Sequence, residues 1–174
     1  MEDEARALER FLAGDEAAFE DLVTRYESRV RTLAHGILRD RALAEDVAQE
    51  TFLTAHQKAR SFRAVDSEAS FRSWLFRIAI NRARDELRRR SRRGEVELDE
   101  SEGSREARWD ERLDLSKAIA EIRPEHRAAL ILREVEGLSY AEIAEALGWP
   151  PGTVMTRIHR ARLELRALLS EKKA

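Results

Sequence analysis

The chain has 174 residues, 43% of them apolar and 38% charged, with a formal net charge of −2, so it suits one domain or two small ones around a modest core. It contains no cysteine, which excludes disulfides, a cysteine-based zinc site and thiol redox sensing. No apolar run approaches membrane-spanning length and the start MEDEARALE is unlike a signal peptide, so a cytoplasmic protein without membrane insertion is expected.

Glu, Arg, Ala and Leu dominate and strand-like alternation is scarce, which predicts an all-α chain. Leu8, Phe11 and Leu12 begin a short helix that Gly14 ends. Asp15 caps the next, where Phe19, Leu22, Val23, Tyr26, Val30, Leu33 and Ile37 recur at helical spacing. Asp40 is placed to cap a third helix, about Arg41–Ala59, with Leu43, Val47 and Ala55 inward and Phe52 at the margin. Its other face carries Asp46, Gln49, Glu50, Leu53 and Gln57, by itself the pattern of a solvated surface with one exposed leucine.

After a polar break over residues 60–70, where Ser67 or Ser70 can cap, comes FRSWLFRIAINRARDELRRRSRR at 71–93. Phe71, Leu75 and Ile78 form one apolar row and Phe76, Ile80 and Ala83 another, which predicts a helix packed among other helices. A third row steps through Trp74, Arg77, Asn81, Arg84, Arg88 and Arg92. It combines an aromatic face for stacking, an amide that can pair with a base edge, and guanidinium groups for phosphates. This is the chemistry of a single-strand nucleic-acid groove, although a core helix with a solvated basic end has the same composition.

Charge is strongly segregated. Residues 77–93 carry +6, whereas residues 1–21 and 94–114 each carry −6. Such blocks suit a protein that touches a polyanion in places and repels it elsewhere. The acidic segment after Gly94 has no sustained stripe until Trp109 and is expected to be a linker.

From Leu113 a second unit begins, with Leu115, Ile119 and Ile122 on one short helix. Pro124 opens another, expected over Glu125–Glu136 and closed by Gly137. In GLSYAEIAEALGWPPGTVMTRIHRARLELRALL, Ser139 and Glu142 form a capping box, Tyr140, Ile143 and Leu147 are expected to face inward, and Gly148 ends the helix. Pro151 opens the last helix, with Val154, Ile158, Ala161, Leu165 and Leu168 as a single apolar stripe. Short helix, glycine turn and longer helix make a helix-turn-helix. Thr153, Met155, Thr156, His159 and Arg160 point outward, flanked by Arg157 and Arg162, where such helices reach base edges. The N–H groups around Gly152–Val154 are expected to be able to donate to a phosphate.

With these segments in view, the sequence resembles the extracytoplasmic-function (ECF) sigma factors of bacterial RNA polymerase, over about Phe11 to Leu169. AEDVAQETFLTA at 44–55 is similar to the core-polymerase-binding segment, FRSWLFRIAINRARDELRRR at 71–90 to the segment that melts and holds the −10 region, and GLSYAEIAEALGWPPGTVMTRIHRAR at 137–162 to the −35-reading helix-turn-helix. The resemblance implies a domain over 1–94, a bare acidic linker over 95–112 and a second domain over 113–174. It implies that Asp46, Gln49, Glu50 and Leu53 meet core RNA polymerase. Asn81 and the loop Ser61–Ser70 would receive a base flipped from the single-stranded −10 element, with Trp74, Arg77, Arg84 and Arg88 along that strand. Met155, Thr156, Arg157, His159 and Arg160, with Thr153 beside them, would meet duplex −35 DNA. Partners implied are core polymerase, promoter DNA and an anti-sigma factor. Against the family pattern, Met155 stands where a basic residue is usual, the loop before Phe71 is longer, and His56 replaces an aromatic residue.

The rival reading is a stand-alone helix-turn-helix regulator with an N-terminal sensor bundle; the row from Trp74 to Arg92 has no purpose in such a bundle. A helical enzyme is disfavoured, since carboxylates and the scattered His35, His56, His126 and His159 form no acid–base or metal constellation, and neither a cofactor nor a metal is expected.

Overall fold

The computed structural model describes residues 4–59, 62, 67–93 and 111–171, and over these the chain is helical, with eight helices and no strand. Residues 61 and 63–66 of the expected loop Ser61–Ser70, and the acidic linker with Trp109, lie outside the described residues, while Ser67–Ser70 belong to the helix expected to start at Phe71.

The N-terminal half holds α1 (Glu4–Leu12), α2 (Glu16–Leu38), α3 (Arg41–Lys58) and α4 (Ser67–Arg93). Two aspartates set its corners. Asp15 accepts from the amides of Ala17 and Ala18 at 3.0 and 3.4 Å, and Asp40 accepts from Leu43 at 3.0 Å, satisfying donors that a helix start otherwise leaves unpaired. α4 packs against α1, α2 and α3, which explains its two apolar rows: Phe71, Leu75, Phe76, Ile80 and Ala83 are all buried. The ring of Phe71 stands edge-on to Tyr26 and Phe62 at 5.9 and 5.6 Å, a favoured aromatic arrangement.

The C-terminal half holds α5 (Glu111–Glu121), α6 (Pro124–Glu134), α7 (Tyr140–Leu147) and α8 (Pro151–Glu171). α6 stops short of Glu136 because the amides of Val135 and Glu136 both turn to the carbonyl of Ile131, at 2.9 and 3.1 Å, before Gly137 at φ +67° redirects the chain. The capping box forms in full: Glu142 N–H donates to Ser139 Oγ at 3.2 Å and Ser139 N–H to the Glu142 carboxylate at 2.7 Å. Tyr140 does not face inward as expected. It is 37% exposed, with the Arg133 guanidinium 5.0 Å from its ring centre. Leu138, just before the cap, takes the inner position with Ile143, both fully buried as a hydrophobic staple. Leu115 is likewise exposed, so only Ile122 and half-buried Ile119 of its expected row turn inward.

The halves are packed together. α2 lies against α6 and α4 along α7, and one apolar cluster runs from Leu33 and Ile80 through Ile131, Leu132 and Ile143 to Ile158. Charged pairs close its edges: Arg29 Nε donates to Glu136 at 2.6 Å, and Arg72 Nη2 donates to Glu142 at 2.5 Å. Deepest is Arg127, 4% exposed, whose guanidinium donates to the carbonyls of Gly36, Ile37, Ala120 and Ile122 at 2.5–3.4 Å. Burial lowers its pKa to about 10, so it stays protonated at neutral pH, and the carbonyl oxygens replace its lost water. Gly36 has ordinary helical backbone, yet a Cβ there would stand 2.1 Å from Ile131 Cδ1 of the other half. The glycine is there for close approach, not for a turn.

Candidate nucleic-acid interface

Three surfaces bear the residues singled out from the sequence. On α3, Val47, Phe52 and Ala55 are buried together with Ala44, Ala48 and Thr51, while Leu43 is only half-buried. This anchors the helix so that Asp46, Gln49, Glu50, Leu53 and Gln57 all stand exposed, Leu53 at 63%. Glu50 is 3.5 Å from Arg82 of α4, which itself donates to Thr54 at 3.0 Å, tying the patch to the neighbouring helix. His56 rests edge-on against Phe19 at 5.0 Å and contacts Glu16 at 2.7 Å, so it fills an aromatic position by ring contact.

On α4 the predicted row divides. Arg77, Asn81, Arg88 and Arg92 are exposed along one face. Trp74 is not: at 8% exposure its ring packs 5.0 Å from Phe62 and 5.8 Å from Phe71, within the bundle. Arg84 turns toward the other half, half-buried, 3.5 Å from the carbonyl of Leu147 and 6.0 Å from the Trp149 ring. Burial lowers the Arg84 pKa; Glu125 opposes that and the charges of Arg88 and Arg157 add to it.

On α8, Met155, Thr156, His159 and Arg160 are exposed and Thr153 half-exposed, held outward by Val154, Ile158 and Ala161 beneath. Arg157 does not join them. It is half-buried, 4.1 Å above the Trp149 ring and 2.9 Å from Glu125. The expected phosphate cradle at the helix start is largely taken: Thr153 and Val154 N–H both donate to the carbonyl of Pro150, at 2.9 and 3.2 Å. Gly148 at φ +66° makes the turn between α7 and α8.

Residues that periodicity did not single out are those joining the halves: Arg29, Gly36, Arg72, Arg127 and Glu136. A signal existed for two of them. Gly36 interrupts a long helix where no turn is needed, and Arg127 heads the otherwise apolar run AALIL.

An all-α molecule with an outward-facing helix-turn-helix, joined to a bundle bearing a basic, amide-containing face, belongs to the class of DNA-engaging regulatory proteins. The model described as sigma-70 region 2 matches residues 22–93, and that described as sigma-70 region 4 matches residues 112–165. The chain is 38% identical to the ECF RNA polymerase sigma-E factor of Escherichia coli, over 89% of this chain and 88% of that one. It is 36% identical to the RNA polymerase sigma factor CarQ of Myxococcus xanthus, over 94% and 96% respectively. Among solved structures it is similar to CnrH in complex with the cytosolic domain of CnrY, with a TM-score of 0.73 and 29% identity over 97% of this chain and 99% of that one. The chain belongs to the ECF sigma factors, non-enzymatic subunits that direct RNA polymerase to promoters and start transcription.

Among the described residues no helix is long and apolar enough to cross a membrane, and no group of acidic or histidine side chains is placed to hold a metal.

Proposed function

We propose that residues 1–94 form the unit that docks on core polymerase and takes the melted −10 strand, that 95–112 are a tether, and that 113–174 read the −35 duplex. Asp46, Gln49, Glu50 and Leu53 are the polymerase contacts. Asn81 receives the extruded base, and Arg77, Arg84 and Arg88 follow the strand's phosphates. Trp74 serves that path from below, by fixing the aromatic floor of α4. Met155, Thr156, His159, Arg160 and Thr153 meet the −35 major groove, with Arg157 joining them once it leaves Trp149. The site of action is the cytoplasm.

The observation that carries this reading is the free face of Arg77, Asn81 and Arg88 on the same chain as the free face of α8. Melting then needs no chemistry: trapping an unstacked base in a protein groove offsets the few kcal/mol that extrusion costs.

The packed form cannot perform both readings at once. Elements centred near −10 and −35 lie about 80 Å apart along B-DNA, at 3.4 Å per base pair. A packed chain of this length is only about 40 Å across. Polymerase must therefore draw the halves apart, and the seventeen residues between Arg93 and Glu111 reach at most about 60 Å when extended. The structural relatives include RpoE of Bartonella quintana in complex with the anti-sigma factor NepR, at 27% identity and a TM-score of 0.72. A protein inhibitor of this kind, favouring the packed form, is proposed for this chain as well.

Run-off transcription with core polymerase on a promoter library tests the reading. Selective initiation at sequences sharing two spaced elements is expected. Association without selective RNA synthesis would overturn it.

A further inference from the structure

Between the halves, beside Trp149, lies a cleft of about 650 Å³ that neither the polymerase contacts nor the outward face of α8 uses. Its charged lining is lopsided. Arg84 and Arg88 come from α4, Arg123 and Glu125 from the start of α6, and Arg157 from α8. Glu125 is paired with Arg157 at 2.9 Å, and the exposed Asp85, outside the cleft, is 3.3 Å from Arg88. Arg84 has a hydrogen bond to a carbonyl oxygen at 3.5 Å and the Trp149 ring at 6.0 Å, with the charge of Glu125 acting on it; among the described residues neither Arg84 nor Arg123 makes an ion pair. α6 opens onto the same space, and its first turn has no side-chain cap. Although Pro124 at the first position has no N–H, the start of the helix adds partial positive charge where the guanidiniums converge. The remaining wall is apolar: Ile37, Ile80, Leu87, Ala128 and the indole of Trp149.

We propose that this cleft binds an organic polyphosphate of nucleotide size, its phosphates among Arg84, Arg88 and Arg123 and the start of α6, its ring on the apolar wall. Guanidiniums hold phosphate oxygens through short, charge-assisted hydrogen bonds, and an apolar wall beside them selects a ligand with a flat body over a bare anion. The volume falls within the range of about 300–1,000 Å³ common to small-molecule sites. Because the lining comes from both halves, the site exists only while they are packed. Binding there stabilises the packed form by linkage, and it occupies Arg84 and Arg88, the proposed strand contacts. The ligand is thus a brake on promoter engagement. The binding site depends on the packed arrangement alone, whereas its role as a brake rests on the promoter reading; the test addresses the site and contains neither polymerase nor promoter.

The test is calorimetry on the full chain at physiological salt, with adenosine and guanosine triphosphates, inorganic tripolyphosphate, adenosine, and a short single-stranded oligonucleotide as probes. Saturable binding of a nucleoside triphosphate at one per chain is expected, with tripolyphosphate weaker and adenosine silent. Arg123→Gln, outside every proposed DNA contact, should weaken binding about tenfold, as loss of one charge-assisted contact does. Arg160→Gln, a cation on the far face of α8, should change it less than about twofold. Equal losses in the two variants would reduce the site to diffuse charge and overturn it. So would binding of the oligonucleotide alone, or tripolyphosphate matching the nucleotides. Gly36→Leu, checked for helicity, should abolish nucleotide binding by parting the halves; retained binding would show that the cleft is not its seat.

Discussion

The outward faces of α4 and α8 are both proposed to meet promoter DNA, yet the packed chain treats them differently. On α8 the face lies open, because the helix packs on α5, α6 and α7 with Val154, Ile158 and Ala161 buried beneath. On α4 the corresponding row is shared out: Arg77, Asn81 and Arg88 are open, Arg84 leans on the other half and Trp74 is sunk in the bundle. A helix with one apolar stripe keeps its opposite face for a partner, whereas a helix apolar on two sides has little surface left once both are covered. Separation of the halves therefore matters far more to α4 than to α8.

The largest effect is expected at Trp74. Trp74→Ala should cost about 3–5 kcal/mol of stability, as for other buried aromatic residues, measured by urea unfolding. Near-wild-type stability with lost strand binding would instead place the indole on the DNA path and erase the contrast with α8. Opening the interface tests the contrast directly. Gly36→Leu should raise the radius of gyration in small-angle scattering and strengthen binding of a −10 single strand about tenfold, near 1.4 kcal/mol. Binding of a −35 duplex should stay within about twofold; equal gains for both ligands would show that α8 is masked too.

Single DNA contacts rank next. Asn81→Ala should lower open-complex yield by about 1–3 kcal/mol while core polymerase binding holds. Arg157→Ala should cost a similar amount if a base is read, with the loss confined to one −35 position; a uniform loss would mark a phosphate contact. Met155→Lys should shift preference at one base or tighten binding by about 1 kcal/mol or less, and a null result in both would remove Met155 from the interface.

The smallest expected effect is on pH. Burial pushes the Glu142 carboxyl up, but its bonds from Arg72 and Ser139 more than reverse this, leaving its pKa below the ordinary 4.5. For a carboxyl lowered in the folded state, the stabilisation is present above 4.5 and is lost as pH falls through the folded value. Scattering should show the packed form loosening only on acidification below that point, and Glu142→Gln should flatten the dependence.

Much of this was legible in the residues. Asp15, Asp40, the Ser139–Glu142 box, Gly137 and Gly148 mark helix ends by local hydrogen-bonding and backbone rules, and the structure uses each accordingly. The helix-turn-helix followed from the same signals. What stayed hidden was partnership. Periodicity says that Ile80 and Ala83 are covered, but not that the cover includes α7 from the other half. For Tyr140 the inward slot went to Leu138, because the staple residue lies outside the helix and escapes its period. Arg127 stood out as a lone cation at the head of an apolar run, but its burial did not: such a cation normally reaches solvent, and only tertiary packing supplied it with carbonyl acceptors.

The bare hydrogen at Gly36 has a bearing on how such a chain adapts. Ile131 Cδ1 occupies the space a methyl group would need, and that tip can swing aside for alanine but not for a longer branch. Gly36 lies on α2, among none of the residues proposed to meet DNA or polymerase, so substitutions of increasing size there are expected to change how readily the halves part while leaving promoter choice alone.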